Sequence, residues 1–170
     1  MYTAEDILIE RERRTQHQQK LLKQYKMPIL VIRVNYPGIN KDNHISQEIT
    51  KIINQVICER FSYFIQYKEE INAAEGPIVV MCINKEAKKI KSMVLDIESN
   101  HILGRCVDLD VYDESGSSVG RQDFGLEMRK CYLCQDIAHN CGRSKKHSKE
   151  EVEGFIKIRF EEYMEKSYGK

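Results

Sequence analysis

A chain of 170 residues with 27 Lys/Arg against 26 Asp/Glu has the length of one domain with a real core, and no room for two full ones. The near balance of charge argues against a general nucleic-acid binder, whose non-specific affinity comes mostly from a basic excess. No apolar run is long enough to span a bilayer, and the opening MYTAEDILIERERR lacks the apolar core of a signal peptide, so a cytoplasmic protein with no membrane and no nucleic-acid partner is expected.

In chain order, Ala4 to Tyr25 is predicted helical, because no Gly or Pro interrupts it and Thr3 can cap its start. Arg11, Arg14 and Gln18 fall at i, i+3, i+7 and share one face, either solvated or turned to a ligand. PILVIRVN, Pro28 to Asn35, reads as a strand closed by the turn YPGINKD. From His44 to Arg60 the residues Ile45, Ile49, Ile52, Ile53, Val56 and Ile57 keep helical spacing. FSYFIQYKEE, Phe61 to Glu70, and GPIVVMCIN, Gly76 to Asn84, are predicted strands. Lys85 to Asn100 reads as a helix burying Ala87, Ile90, Val94, Leu95 and Ile97. A strand with the run Cys106, Val107, Leu109, Val111, Tyr112 follows, then an irregular Cys-rich segment and a terminal helix from Ser148 to about Lys166.

The order is a helix, then β-α-β-β-α-β, then the Cys-rich segment and the last helix: an α+β, ferredoxin-like order in a single domain over 1–170, with a Cys-rich subregion at about 129–147. Six cysteines in a reducing compartment are expected as thiols. Cys58, Cys82 and Cys106 stand alone in apolar runs and are expected in the core.

Two groups of residues carry chemistry. Asp108 and Asp110 sit at i and i+2 of the acidic strand, so they point to one face, with α-carbons about 7 Å apart, while Val107, Leu109 and Val111 face the core. They can converge on one small cation, or they are the polar residues of a half-solvated strand. Asp113 has the opposite parity and opens the turn DESGSS, so it is read as turn-making. Glu98 and His101 end the preceding helix, Gly104 is read as a flexible lead-in, and Arg105 adds a fixed positive charge beside the acids. Carboxylates plus arginine are what magnesium-dependent attack on a polyphosphate requires: the acids hold the metal, and metal and arginines neutralise phosphate oxygens. The segment from Arg121 to Glu150 carries seven Lys/Arg against four Asp/Glu. Its Arg121, Arg129, Arg143, Lys145 and Lys146 can complete an anion clamp or form ordinary surface ion pairs.

The second group is CYLCQDIAHNCGRSKKH. Cys131, Cys134, Cys141 and His147 have a C-x2-C-x6-C-x5-H spacing, whose first gap suits paired thiolates on one tetrahedral zinc. Its second half departs from the usual knuckle pairing, and reduced cysteines in a helical hairpin, with His147 exposed or phosphate-contacting, are the other reading.

These motifs together resemble the citrate lyase holo-acyl carrier protein synthases, the apo-citrate lyase phosphoribosyl-dephospho-CoA transferases, from about Ile7 to the terminal helix. The carriers are Arg11, Arg14 and Gln18; Pro37, Gly38, Lys41 and Asp42; GR..DLDV from Gly104 to Val111; Arg121; and R.C.LC...A..C.R...H from Arg129 to His147. The resemblance implies a magnesium-dependent nucleotidyltransferase-type enzyme. Its substrate would be 2′-(5″-triphosphoribosyl)-3′-dephospho-CoA, its acceptor a serine of the citrate lyase acyl carrier (gamma) subunit, and its by-product pyrophosphate. It also implies Asp108 and Asp110 as magnesium ligands with Arg105 beside them in the catalytic set, and Arg11, Arg14, Gln18, Lys41, Arg121, Arg129 and Arg143 on the substrate; His101, by its place at the end of the preceding helix, is the candidate base toward the serine, with metal activation as the alternative. Zn2+ on Cys131, Cys134, Cys141 and His147 would be structural. A rival from another class is a non-catalytic zinc-dependent adaptor that grips an acidic partner with the basic segment; it leaves Asp108 and Asp110 unexplained.

Overall fold

A computed structural model describes residues 2–169; Met1 and Lys170, the ends of the expected domain, lie outside it. The elements are α1 (Ala4–Tyr25), β1 (Ile29–Val34), α2 (His44–Phe61), β2 (Ile65–Ala73), β3 (Gly76–Ile83), α3 (Ala87–Asn100), β4 (Val107–Tyr112), β5 (Ser118–Val119), α4 (Ala138–Ser144) and α5 (Lys149–Tyr168). The architecture among the described residues is α+β, with five α-helices and one antiparallel sheet in the order β2-β3-β1-β4-β5. None of these helices is long and apolar enough to cross a membrane.

The helices start where side chains can satisfy the first free N–H groups. Thr3 and Asp6, Asn43 and Ser46, and Ser148 and Glu151 each form a reciprocal cap at the starts of α1, α2 and α5. Alternation then assigns the two sheet faces. Leu30, Ile32, Met81, Ile83, Leu109 and Val111 meet Ile49, Ile53, Ile57 and Phe61 of α2 and Ile90, Val94 and Ile97 of α3, with Ile156 of α5 closing the cluster. Each such side chain, fully buried, stabilises by about 1.5–3 kcal/mol before chain entropy is counted. Cys106 lies in this cluster, Cys58 packs against it, and Cys82 is buried on the other face.

That second face is divided. Leu21 of α1 packs on Ile29, Val31, Ile78, Val80 and Cys82, with Leu22, Tyr25, Tyr67 and Tyr112 alongside. Farther toward the start of α1 the same face turns polar, and there the acids lie.

Four details depart from the expected elements. The helix α2 runs on through Phe61, which had been placed in a strand, because Phe61 continues the stripe of Ile49, Ile53 and Ile57 and is fully buried. Gly104 is not a flexible lead-in: it is buried in a single turn of 3-10 helix, and a β-carbon there would meet the Ile97 carbonyl oxygen at 2.3 Å. The Cys-rich segment contains the short helix α4, and a two-residue strand, β5, pairs with the end of β4. Asp113 makes its turn as expected, with Oδ1 accepting from the N–H groups of Ser115 and Ser117, both at 2.9 Å.

Candidate active site

In β1, Arg33 shares parity with Ile29 and Val31, so it emerges on the α1 face of the sheet. Register puts it directly opposite Asp108, with Val31 opposite Asp110. The Arg33 Nη2 atom lies 2.7 Å from Asp110 Oδ2 and 3.9 Å from Asp108 Oδ2. The two carboxylates therefore converge on a single cationic nitrogen, which is the geometry a bound cation needs. Burial, and next the Asp110 charge, push the Asp108 carboxyl above its usual value, while Arg33 and Arg129 pull it down.

A third acid completes this corner. Glu75, in the turn between β2 and β3, has a side chain only 3% exposed. Arg14 holds it in a two-point contact, Nε to Oε2 at 2.8 Å and Nη2 to Oε1 at 3.3 Å; Arg11 Nε adds 3.3 Å and Arg33 Nη1 stands at 4.0 Å. Lys41 donates to the Tyr36 carbonyl oxygen. Its ammonium is pushed below its usual value by burial, then by Arg11 and Arg33, with Glu75 and Asp108 opposing. The turn fits against the Lys41 strand of chain because Gly76 takes φ +87° and a β-carbon there would stand 2.7 Å from the Lys41 carbonyl oxygen.

Where β4 runs beyond the short β5, its outer edge is served by side chains. Leu109 N–H donates to Glu98 Oε1 at 3.2 Å and its carbonyl oxygen accepts from Lys91 Nζ at 2.7 Å. Arg129 joins this edge to the acids: Nη2 is 2.8 Å from Glu98, and Nη1 donates to the Val107 carbonyl oxygen at 3.1 Å and reaches Asp108 at 3.5 Å. Beside Asp108 opens a cleft of about 420 Å³ lined by Arg105, Arg129, His139 and Arg143. Three arginines over one carboxylate suit a polyphosphate whose oxygens outnumber the acid's.

The cysteine segment forms the far wall. Cys131 N–H donates to the Asp136 carbonyl oxygen at 2.7 Å, folding the chain back so that Cys134 returns toward Cys141 on α4 and His147 before α5. Cys134 Sγ is 3.5 Å from Cys141 Sγ and 3.3 Å from His147 Nε2, and the four donor atoms lie within 4.8 Å of one another. Tetrahedral ligands about 2.3 Å from an ion sit roughly 3.8 Å apart, so this cluster can hold one metal ion. The Asp136 N–H holds the Cys134 thiol down to about 6, with His147 and the neighbouring thiols adding to it; burial pushes Cys141 up.

A family model described as apo-citrate lyase phosphoribosyl-dephospho-CoA transferase matches residues 2–163. The chain belongs to that family. A curated protein of that name from Escherichia coli O7:K1 (strain IAI39 / ExPEC) is 30% identical over 145 residues, which are 84% of this chain and 79% of the relative. Homologues bearing the same name from Escherichia coli O1:K1 / APEC and Shigella boydii serotype 18 (strain CDC 3083-94 / BS512) are 29% identical over the same shares. The chain is thus a transferase that attaches the prosthetic group of apo-citrate lyase, and the adaptor reading falls away.

Within this transferase the expected site residues do not all share one place. Arg11, Arg14, Lys41, Asp108 and Asp110 meet around Arg33 and Glu75. Arg105, Arg129 and Arg143 line the adjoining cleft, and Arg105 donates to the Lys130 carbonyl oxygen. Arg121 stands off at 3.9 Å from Glu98 and donates to the Glu127 carbonyl oxygen at 3.2 Å. Gln18 is buried about one turn beyond Arg14, near Tyr112, with its side-chain nitrogen lacking a hydrogen-bond partner among the described residues. His101 is not brought to the acids: its Nδ1 accepts from Leu103 N–H at 3.1 Å, its ring meets Tyr163 of α5 at 5.5 Å, and burial lowers its basicity. Arg33 and Glu75 were missed. Arg33 had a signal, a lone charge inside an otherwise apolar strand; Glu75 had only its place before Gly76.

Proposed function

We propose that the acid corner and its arginine cleft bind the triphosphate of 2′-(5″-triphosphoribosyl)-3′-dephospho-CoA with Mg2+ and pass the phosphoribosyl-dephospho-CoA group to a serine of the citrate lyase acyl carrier subunit. The observation that carries this is the convergence of Asp108 and Asp110 on one cationic nitrogen, next to a cleft lined by Arg105, Arg129 and Arg143. Asp108 and Asp110 would hold the metal, which supplies charge neutralisation at the phosphate oxygens. Arg105 and Arg143 steady the β- and γ-phosphates, and Arg129, fixed between Glu98 and Asp108, keeps the first of the acids aimed. The serine Oγ forms a bond to the α-phosphorus, the bond between the α- and β-phosphates breaks, the serine proton is released and pyrophosphate departs.

Arg11, Arg14 and Lys41 set the positive potential of the corner, and Arg121 reinforces it through Glu98. His101 has support in this reading as a packing residue only, whereas the buried side-chain nitrogen of Gln18, unpartnered among the described residues, is consistent with the substrate contact expected of it. The Cys131, Cys134, Cys141 and His147 set is read as structural zinc, because its donors are four in number, largely soft and mutually close. The core order β2-β3-β1-β4, with both helical connections skipping one strand, supports a ferredoxin-like core in one transferase domain, extended by β5. A cytoplasmic setting, in which thiols stay reduced and free to take a metal, belongs to the same reading.

The test is mass analysis of the apo carrier subunit after incubation with the protein, the triphosphate precursor and magnesium. The carrier should gain the mass of phosphoribosyl-dephospho-CoA, with pyrophosphate released in step. Modification without pyrophosphate, or equal use of a monophosphate precursor, overturns the mechanism.

A further inference from the structure

The cleft beside Asp108 does not end at its arginines. It shares Asn35, Tyr132, Ala138 and Gly142 with a second, larger cavity of about 660 Å³ between the turn at Tyr36–Gly38, the cysteine segment and the start of α5. Tyr132 stands at the junction of the two. One of its ring faces is stacked on Phe155 of α5, with centroids 4.2 Å apart and planes 10° from parallel. Its other face is the one left for the two chambers that it lines.

The two chambers differ in chemistry. Beyond Tyr132 no carboxylate lines the wall, which is apolar at Pro37, Leu133 and Val152; the cations Lys41, Lys145 and Lys149 line it too, with Lys149 paired to Glu153 at 3.4 Å. Lys145 sits in a left-handed conformation, φ 49°, as the residue that ends α4, so its position is fixed by the backbone. The Lys149 side chain passes over the turn, its Cε 3.0 Å from where a β-carbon on Gly38 would be; Gly38, at φ +73°, leaves that passage open. An aromatic face, an apolar wall and three cations match a purine, a thiol-ended alkyl amide chain and a diphosphate, which are the parts of dephospho-CoA.

We propose that the larger cavity seats the dephospho-CoA end of the precursor, with Tyr132 stacking on the adenine and Lys145 and Lys149 on the 5′-diphosphate. This rests on the reading that the smaller cleft takes the triphosphate. The covalent layout agrees: the triphosphoribosyl group leaves the adenosine ribose at its 2′-oxygen, so the adenine must lie next door to the phosphates, where Tyr132 is. Three of the four cluster donors, Cys131, Cys141 and His147, line the same cavity, so the fold around that cluster sets the shape of the seat.

The experiment is calorimetric titration of the full chain with two fragments, dephospho-CoA without magnesium and inorganic tripolyphosphate with it. Dephospho-CoA should bind wild-type protein and not be displaced by tripolyphosphate. Tyr132→Ala should weaken it by about tenfold or more, the scale of removing one stacking aromatic, while Tyr132→Phe keeps it. Lys145→Ala, at an exposed position, should weaken it severalfold and flatten its salt dependence. Asp108→Asn should leave it unchanged. Wild-type affinity in both Tyr132→Ala and Lys145→Ala, or no binding of dephospho-CoA at millimolar concentration, or displacement by tripolyphosphate, overturns the proposal. If Tyr132→Ala does not fold, Lys145→Ala and Tyr132→Phe carry the test. Tripolyphosphate binding that ignores Asp108→Asn counts against the triphosphate reading alone, because the dephospho-CoA titrations stand apart from it.

Discussion

Replacing Glu75 with glutamine removes one negative charge from a place where three arginines meet and little water reaches. The cost can be assembled contact by contact. Arg11 is 53% exposed, so its pairing contributes at most about 1 kcal/mol. Arg14 is 11% exposed, Glu75 is 3% exposed, and their contact has two points, so it belongs with hydrogen bonds to charged groups at about 1.5–3 kcal/mol. Stripping one partner from a fully buried pair costs about 3–5 kcal/mol, and the amide oxygen that remains recovers part of that. Glu75→Gln should therefore lower the unfolding free energy by about 2–4 kcal/mol, which for a chain this long lowers the melting temperature by roughly 5–15 °C. Urea unfolding followed by circular dichroism measures it, and the double variant Glu75→Gln with Arg14→Gln should show coupling of about 1 kcal/mol or more. A loss below about 1 kcal/mol, or strict additivity, would mean that the pairing is solvated in solution and that Glu75 does not organise the corner.

Asp108→Asn or Asp110→Asn should cut transfer by roughly a hundred- to a thousandfold, the scale of one electrostatic contact in a desolvated site, with little change in melting temperature; near-normal turnover at saturating magnesium removes them from the mechanism. Purified protein should hold one zinc per chain by metal analysis, and Cys141→Ser should release it and loosen the segment from Cys131 to His147; fully active protein without metal rejects the site. Gly104→Ala should destabilise by about 1–3 kcal/mol through the clash with the Ile97 carbonyl, read as a lower urea midpoint, whereas a merely flexible glycine at that position would tolerate alanine.

What could be read in the residues was whatever repeats at short range. The isoleucines of α2 at helical spacing, the alternation of β4 and the clustered thiols each announce themselves within a few positions, and each is found in place. The end of α2 was misjudged because Phe61, Tyr63 and Phe64 suit a strand locally; only the stripe beneath Phe61 decides for the helix. The short helix α4 has too few residues for a period to show. The acid corner was half legible. Asp108 and Asp110 can be paired from parity alone, but Glu75 reaches them only because β3 lies next to β1, a pairing that no local pattern encodes. His101 shows the opposite error: near in sequence to the acids, it turns toward α5.

The division of α1 has a consequence for motion. Its second half grips the sheet through Leu21 and its neighbours, contacts that salt does not weaken, whereas its first half is held by Ile7 and by the ion pairs to Glu75. A lever anchored in this way lifts from its free end, and rising ionic strength eases the lifting without touching the main core. Because Arg11 and Arg14 travel with that end, its loosening would strip Glu75 of two of its cations and leave Arg33, fixed on β1, as the charge shared between Glu75 and the two aspartates.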